Sequence, residues 1–588
     1  MRGYGRSNAP FTAAARPVTL GGTVKNYHDG GEAILEAFRN LGIDYIISSP
    51  GSEWSSVWEA LARQKTGNHP GPTYFDVWHE TTAVDMAIGY TQMTGRMQAV
   101  LLHAGAGLLQ GAVAVQAAQQ TEVPMLVMSG ESLSFGEDPD FEPGAQWYRS
   151  LSVVGGPQRL IEPVVKHATM ATSPYSLYET VVRCGELAQR QPCGPVYINV
   201  PVEHMVHPWT APAKMRRVPL APKSQPMQAD IEALADRLAK AANPVIEAQS
   251  AGKDPAVMPA LVALAELLGA GVFEGSSTTH ANFPKDHPLH QGANFDAAAK
   301  DADVVLLVAS RNPWYPPRNR PAGAFIAAIG ENPIKGHWVY QHLHADMYLE
   351  ADVATTLALL CQALVARGVT AETHKARRDS RAKAHDALQA SLRAAEATRA
   401  ALRPVDPLAL IAALRKTMPA DAIYVDETIV HSPMVRNHLG WNLPQSYFYT
   451  YGGLGQGIGV ALGVKLAAPQ RPVVLLIGDG SLLYNPIVQG LGASRDCNLP
   501  ILIVVFNNKK YQAMQNNHER YYPDGIAVGQ KLWHGVAING PDYDRLGAPF
   551  DFPGVKVDDP AALKPALAKG LAEVAAGRTA IVNVVLNR

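Results

Sequence analysis

A carboxylate and an amide each follow an apolar segment in the C-terminal third of the chain. Asp479 lies in a Gly-Asp-Gly-Ser turn after apolar residues 473–477, and Asn508 follows apolar residues 501–506. If these segments are neighbouring parallel strands, their carboxyl ends meet at the edge where α/β sheets bind ligands. The two side-chain oxygens suit a hard cation such as Mg²⁺, and the glycines let backbone N–H groups approach phosphate oxygens. The spacing predicts a magnesium and phosphate site, with an ordinary β-turn as the alternative.

A second carboxylate, Glu80, precedes a helical pattern of small residues. Ala83, Ala87 and Gly89 follow it and permit close packing against another element. A carboxylate in the first turn of a helix is favoured by the helix dipole, so a purely structural role is one interpretation. A functional role for this carboxylate is the other interpretation.

A histidine stands at the end of a third apolar segment. Residues 99–103 end in His103, and Ala-Gly-Ala-Gly follows, which leaves space for a ligand beside the imidazole. A Pro-Gly-Ser turn at residues 50–52 follows apolar residues 45–48 in the same way. His103 is therefore a candidate for a ligand contact, although a structural histidine at a strand end is the simpler alternative.

These residues require a scaffold in which strands and helices alternate. The alternation predicts an α/β fold with three doubly wound parallel-sheet domains. The predicted organisation is an N-terminal extension (1–29), a first α/β domain (30–205), a central domain (226–369), a charged helical linker (370–404) and a C-terminal α/β domain (405–588). The first and last α/β blocks are candidates for two copies of one plan.

Composition excludes several classes of protein. The 588 residues are 47% hydrophobic and carry a net charge of -1, so no strong field favours nucleic acid or an anionic membrane surface. No apolar segment approaches the roughly 20 residues of a membrane span. The four cysteines lack metal-ligand spacing and fit a reducing cytoplasm. The central domain has no Gly-x-Gly-x-x-Gly turn, so we expect neither FAD nor a nicotinamide cofactor there.

Five motifs together resemble those of thiamine diphosphate (ThDP)-dependent enzymes, in the order of that superfamily. They lie at residues 49–52, 79–90, 101–107, 451–455 and 478–508, and the resemblance covers about residues 30 to 588. The chain is similar to acetolactate synthase-like and benzoylformate decarboxylase-like members. The resemblance implies the ThDP-binding fold, with a pyrimidine-binding (PYR) first domain and a diphosphate-binding (PP) C-terminal domain.

The resemblance also implies an activity. We expect a Mg²⁺- and ThDP-dependent decarboxylase or carboligase, a lyase that acts on a 2-oxo acid through a C2 ylid and an enamine. An acetolactate synthase-like transferase that condenses two 2-oxo acids is an alternative, as is a 2-hydroxyacyl-CoA-type lyase. A non-catalytic ThDP-fold protein is disfavoured because Glu80, Asp479 and Asn508 are all present.

Roles for single residues follow from the resemblance alone. Glu80 would hydrogen-bond N1′ of the cofactor, Leu454 would support its bent shape, and the carbonyl of Gly452 would accept from its 4′-amino group; core packing is the alternative for Leu454. The implied catalytic residues are Glu80, His103 and Ser52. The implied cofactor contacts are Pro50, Gly51, Glu80, Thr428, His431, Gly452, Leu454, Asp479, Gly480, Ser481, Asn508 and Tyr511. The implied substrate pocket comprises Ser52, His103, Gln146, Ala513 and Met514, with Trp147 beside it, and the implied metal ligands are Asp479, Asn508 and the carbonyl of Lys510.

Assembly is implied in the same way. We expect a cytoplasmic homodimer or homotetramer with active sites at the subunit interface, and a small 2-oxo acid as the substrate. No nucleic-acid or membrane partner is expected.

Overall fold

The computed structural model describes residues 28–130, 134, 139–142, 144, 153–215, 218–336 and 344–587. Gln146 and Trp147, which were predicted to line the substrate pocket, lie outside the described residues. Among the described helices, none combines the length and the apolar character that crossing a membrane requires.

The first domain is a six-stranded parallel sheet covered by helices. Its strands are β1 Tyr45–Ser49, β2 Thr73–Asp76, β3 Gln98–Leu102, β4 Met125–Ser129, β5 His167–Met170 and β6 Pro195–Asn199, in the order β2-β1-β3-β4-β6-β5. Its helices are Gly30–Leu41, Ser55–Thr66, Glu80–Thr94, Ala106–Gln120, Pro157–Ile161, Leu177–Gln189 and Val202–Val206. Strands β3, β4 and β6 are buried along their whole length, which explains their continuous apolar sequence.

The central domain is a smaller parallel sheet. Its strands are β7 Pro244–Ala248, β8 Gly271–Phe273, β9 Val304–Val308, β10 Phe325–Gly330 and β11 Met347–Glu350, in the order β11-β10-β9-β7-β8. Helices Gln228–Lys240, Val257–Leu268, Phe295–Lys300 and Val353–Ala366 cover it.

The C-terminal domain repeats the plan of the first. Its strands are β12 Ile423–Glu427, β13 Tyr447–Tyr449, β14 Val473–Gly478, β15 Leu502–Asn507, β16 Gly554–Val557 and β17 Ala580–Val585, in the order β13-β12-β14-β15-β17-β16. Its helices are Pro407–Thr417, Ser432–His438, Gly457–Ala467, Asp479–Leu482, Ile487–Asp496, Gln512–Tyr521, Ile526–Gln530 and Leu563–Ala575. Ranked along the chain, the six strands have the same order in both domains. The predicted fold class of three doubly wound parallel-sheet domains is confirmed.

The central domain and the linker segment are bonded to the C-terminal domain. His280 forms an antiparallel bridge with Phe448 and so covers the edge strand β13. Helix Lys375–Arg399 occupies most of the segment predicted to be a linker. Its buried Glu396 pairs with Arg415 at 2.6 Å and His438 at 2.8 Å in the C-terminal domain. The C-terminal end of helix Lys375–Arg399 is therefore fixed to the C-terminal domain.

The first and C-terminal domains meet where two helices cross at backbone contact. An added Cβ atom at Gly89 of helix Glu80–Thr94 would lie 2.1 Å from the carbonyl oxygen of Val460. One at Gly463 of helix Gly457–Ala467 would lie 2.0 Å from the carbonyl oxygen of Met86. Because backbone atoms cannot move aside as the end of a side chain can, this crossing requires glycine.

We therefore expect Gly463→Ala to destabilise the protein by about 1–3 kcal/mol, the usual cost of overpacking, as measured by urea unfolding. Gly323→Ala is the matched control, because a Cβ atom there meets nothing within 4 Å. Equal stability of both variants would show that the helices do not cross at this distance.

Candidate active site

The candidate cation ligands lie together at the carboxyl edge of the C-terminal sheet. Strands β14 and β15 pair in parallel, with Gly478 opposite Phe506, so Asp479 and Asn508 follow neighbouring strand ends. Both side chains are buried, with relative exposures of 2% and 5%. The strand register accounts for this proximity, which sequence spacing predicted.

The Asp479 carboxylate is held by backbone donors and retains capacity for a cation. The N–H of Gly480 donates to Oδ1 at 3.0 Å, and the N–H of Lys509 donates to Oδ2 at 2.8 Å. Burial raises the pKa of Asp479 to about 6, against the effect of these two hydrogen bonds. A carboxylate oxygen has two lone pairs, so each still has one available. A divalent cation bound here would offset the desolvation of the charge.

Lys510 and Tyr511 lie against the same turn. The N–H of Lys510 donates to Asn508 Oδ1 at 3.2 Å, and Lys510 bridges to Ala537 through the N–H of Tyr511 and the carbonyl of Lys509. The Lys510 carbonyl is not used in that bridge. An added Cβ atom at Gly480 would lie 2.5 Å from the Tyr511 ring, so only glycine fits this turn. These residues fit a magnesium ion with a diphosphate group.

Glu80 is the first residue of its helix but does not cap it. The helix cap is His79, whose Nδ1 accepts from the N–H of Thr81 at 3.2 Å. An added Cβ atom at Gly107 would lie 2.8 Å from Glu80 Oε1 and 2.9 Å from His103 Cβ. Glu80 and His103 therefore line one space, and the glycine keeps that space open.

His103 pairs with a carboxylate that the sequence analysis missed. Its Nδ1 lies 3.1 Å from each carboxylate oxygen of Glu53, which directly follows the Pro-Gly-Ser turn. Strands β1 and β3 pair with Ser49 opposite Leu102, so the two loops share an edge. Glu53 could have been suspected only as a carboxylate one residue beyond that turn, because its partner lies 50 residues away.

A second missed carboxylate holds the loop at residues 451–455. Glu427 ends β12 and is fully buried, and it accepts from the N–H groups of Gly455, Gln456 and Gly457 at 2.6, 3.2 and 2.9 Å. The amide of Asn485 donates to it at 3.1 Å. Burial raises the pKa of Glu427 to about 7 despite these four bonds. Glu427 thus fixes the junction between the glycine loop and helix Gly457–Ala467.

Thr428 and His431 each contact a strand of the C-terminal sheet. The Thr428 hydroxyl donates to Asp426 at 2.7 Å, and the His431 ring packs against Phe506 with centroids 5.5 Å apart. Burial lowers the pKa of His431 to about 4. Their proposed phosphate contacts stay predictions, and the structure gives both residues structural contacts.

The remaining candidates differ in exposure. Pro50, Ser52, Leu454, Ala513 and Met514 are exposed, whereas Gly51, Gly480 and Ser481 are buried. Gly452 has φ 103°, and an added Cβ atom would lie 2.8 Å from Ala117 Cα in helix Ala106–Gln120. Helix Gln512–Tyr521, which carries Ala513 and Met514, has no buried residue. Their roles in the substrate pocket stay predictions.

Three family models match the chain. The thiamine pyrophosphate enzyme N-terminal TPP binding domain matches residues 28–138, the central domain residues 231–360, and the C-terminal TPP binding domain residues 430–584. Thiamine pyrophosphate (TPP) is the same cofactor as ThDP.

Curated relatives match over most of the chain. A Pseudomonas aeruginosa protein named "Probable 2-ketoarginine decarboxylase AruI" is 28% identical over 541 residues, which covers 88% of each chain. The acetolactate synthase isozyme 3 large subunit of Escherichia coli is 23% identical over 590 residues, which covers 95% of each chain.

Solved structures share the fold. A 4-hydroxybenzoylformate decarboxylase from Rhodococcus jostii has a TM-score of 0.76 and 22% identity, and covers 95% of this chain and 99% of its own. A benzoylformate decarboxylase from Polynucleobacter necessarius has a TM-score of 0.78 and 21% identity, with the same coverage.

The Glu427 contacts generate a prediction. Glu427→Gln replaces one acceptor oxygen with an amide donor that faces backbone N–H groups, and each buried donor left unpaired costs about 1–3 kcal/mol. We expect a lower free energy of unfolding in urea. The control is Glu247→Gln, since buried Glu247 is bonded to the Ser310 hydroxyl, which can also accept. An unfolding free energy for Glu427→Gln equal to that of the control would contradict the role of Glu427 in the loop.

Proposed function

Because the chain belongs to the thiamine diphosphate-dependent enzyme superfamily, we propose that it catalyses the Mg²⁺-dependent decarboxylation of a 2-oxo acid. The observation that carries the proposal is the buried Asp479 carboxylate beside Asn508 at one sheet edge. Asp479, Asn508 and the carbonyl of Lys510 would hold Mg²⁺, and the Gly480 turn would receive the diphosphate. ThDP, when bound, supplies the electron sink that decarboxylation of a 2-oxo acid needs.

The protein side chains would bind, orient and exchange protons. Glu80 would hydrogen-bond N1′ of the pyrimidine and share a proton with it. The Gly452 carbonyl would accept from the 4′-amino group, and Leu454 would lie beneath the bent cofactor. His103 would hold or deliver a proton at the substrate, because it lines the same space as Glu80 and is partly exposed.

After loss of CO₂, the rest of the substrate can follow either of two routes. Release as an aldehyde is supported by the likeness to a relative named as a decarboxylase of 2-ketoarginine. Condensation with a second 2-oxo acid is supported by the likeness to several acetolactate synthases. We favour simple decarboxylation, because the decarboxylase is the more similar of these relatives at 28% identity.

A panel of 2-oxo acids tests the activity. We expect CO₂ release from at least one of aliphatic, aromatic and guanidino-substituted 2-oxo acids, assayed with and without an acceptor aldehyde. Release should require both ThDP and Mg²⁺ and stop on treatment with EDTA. Product analysis separates an aldehyde from a ketol or an acetohydroxy acid. CO₂ release that persists without ThDP would refute the proposal.

The roles of Glu80 and His103 can be separated. Glu80→Gln should slow both C2–H/D exchange of bound ThDP and turnover, by roughly 10²–10⁴-fold, the usual contribution of general acid–base catalysis. His103→Ala should lower kcat and leave C2 exchange nearly intact, because His103 would act only on the substrate. The C2–H/D exchange rates of both variants, measured by NMR, distinguish the role of Glu80 from that of His103. Wild-type exchange in Glu80→Gln would exclude Glu80 as the activating acid.

We also propose a homodimer or homotetramer, with two chains completing each site. Helix Ala106–Gln120, the loop at residues 451–455 and residues 484–488 expose apolar side chains. Their exposed fractions are 53% at Leu109, 54% at Val113, 36% at Leu454, 57% at Tyr484 and 60% at Val488. Gly453 lies against Val113 and Gly455 against Tyr484, so Val113 and Tyr484 flank the loop that carries Leu454. An exposed apolar surface next to a site favours association with another copy.

Light scattering tests the assembly. We expect at least a dimer, and Val113→Glu together with Val488→Glu should give a folded monomer without activity. Lys375→Glu with Asp379→Lys, which reverses an exposed ion pair on helix Lys375–Arg399, is the control. A monomeric wild-type protein with full activity would refute the shared site.

We place this enzyme in the cytoplasm. All four cysteines are free thiols, which suits a reducing compartment.

A further inference from the structure

The Glu53 carboxylate makes contacts that the proposed function does not use. Its side chain is fully buried, while the His103 side chain is 25% exposed. Both carboxylate oxygens lie 3.1 Å from His103 Nδ1, and the N–H of Ala104 donates to Oε1 at 2.7 Å. One carboxylate therefore binds the imidazole and the backbone of the residue that follows it.

This geometry selects one form of the imidazole. An ionised carboxylate can only accept hydrogen bonds, so Nδ1 must carry a proton that it donates to Glu53. In the neutral ring, Nε2 on the far side is then the acceptor. The same arrangement orients histidines that ligate metals or act as general bases elsewhere.

Neighbouring residues keep Glu53 and His103 in contact. The indole of buried Trp54 donates to the carbonyl of Leu102 at 3.0 Å, which ties the Glu53 loop to the strand before His103. An added Cβ atom at Gly51 would lie 1.9 Å from His103 Nδ1 and 2.1 Å from Glu53 Oε2. At Gly130 it would lie 2.9 Å from Glu53 Cγ. Two glycines thus make room for this contact.

Two titratable groups face His103 in these contacts. Glu53 approaches Nδ1 from the loop after β1. Glu80 approaches from helix Glu80–Thr94, since a Cβ atom at Gly107 would touch both Glu80 Oε1 and His103 Cβ. Because Glu53 lies against Nδ1, that nitrogen is engaged within the protein.

We propose that Glu53 is a positioning residue that fixes His103 in the Nδ1–H tautomer and so sets the orientation of its imidazole. The catalytic use of this arrangement rests on the proposed function, whereas the tautomer does not. A purely structural role, in which Glu53 only anchors the backbone of Ala104, makes different predictions for the same variants.

A double-mutant cycle distinguishes the two roles. Glu53→Gln keeps the shape and one acceptor, and it should lower kcat by about 10–100-fold, as loss of such a partner usually does. The KM and the affinity for ThDP should stay unchanged. In the His103→Ala background, Glu53→Gln should cost nothing further, because its effect passes through the imidazole. Multiplicative losses in the double variant would overturn the proposal.

A matched variant controls for loss of a buried charge in this domain. Glu32→Gln removes a half-buried carboxylate that pairs with Arg39 and Arg63, and it should leave kcat unchanged. A loss in Glu32→Gln as large as that in Glu53→Gln would assign the effect to domain stability and overturn the proposal.

The tautomer can be read without any turnover. In the ¹⁵N-histidine-labelled holoenzyme, the signals absent from His103→Ala identify His103, and we expect a protonated Nδ1 with an unprotonated Nε2. The protonated share of Nδ1 should fall in Glu53→Gln. An Nε2–H tautomer in the wild type would refute the proposal even if Glu53→Gln did not fold. If no 2-oxo acid is turned over, the proposed function fails while this measurement still decides the tautomer.

Discussion

The parallel pairing of adjacent strands is the constraint on which the rest of this structure depends. It places the residues after each strand at one edge of the sheet, the edge where α/β proteins bind ligands. In the C-terminal sheet this brings Asp479 and Asn508 together after β14 and β15. In the first sheet it brings Glu53 and His103 together after β1 and β3. Since both sheets have the same strand order, both pairs arise from one repeated plan.

Three buried carboxylates at these sheet edges fix the positions of the loops beside them. Asp479, Glu427 and Glu53 each accept hydrogen bonds from backbone N–H groups of a neighbouring loop. Burying a carboxylate is costly unless it is bonded, so each one orders the loop that satisfies it. The carboxylates at Asp479 and Glu427 also have raised pKa values, because burial outweighs those bonds. The conformations of these loops are therefore set by carboxylates of the chain itself.

Buried strands can be predicted from the sequence more accurately than the contacts between residues of the candidate site. The fully buried strand β9 is a continuous apolar segment, which marks it in the sequence. Edge strands β2 and β16 are largely exposed and carry no such signal. Asp479 and Asn508 could be paired because a fixed spacing separates two buried strands. Glu53 and Glu427 could not, since their partners are defined by tertiary contacts across 50 and 28 residues.

The position of the metal tests the central claim most directly, namely that adjacent strand ends build the cofactor site. Crystals grown with ThDP and Mn²⁺ in place of Mg²⁺ give an anomalous signal at the metal. The account predicts one strong peak within about 2.3 Å of a carboxylate oxygen of Asp479 and the side-chain oxygen of Asn508, the range for hard cations with oxygen ligands. A peak elsewhere, with Asp479 and Asn508 unliganded while ThDP is bound, would contradict it.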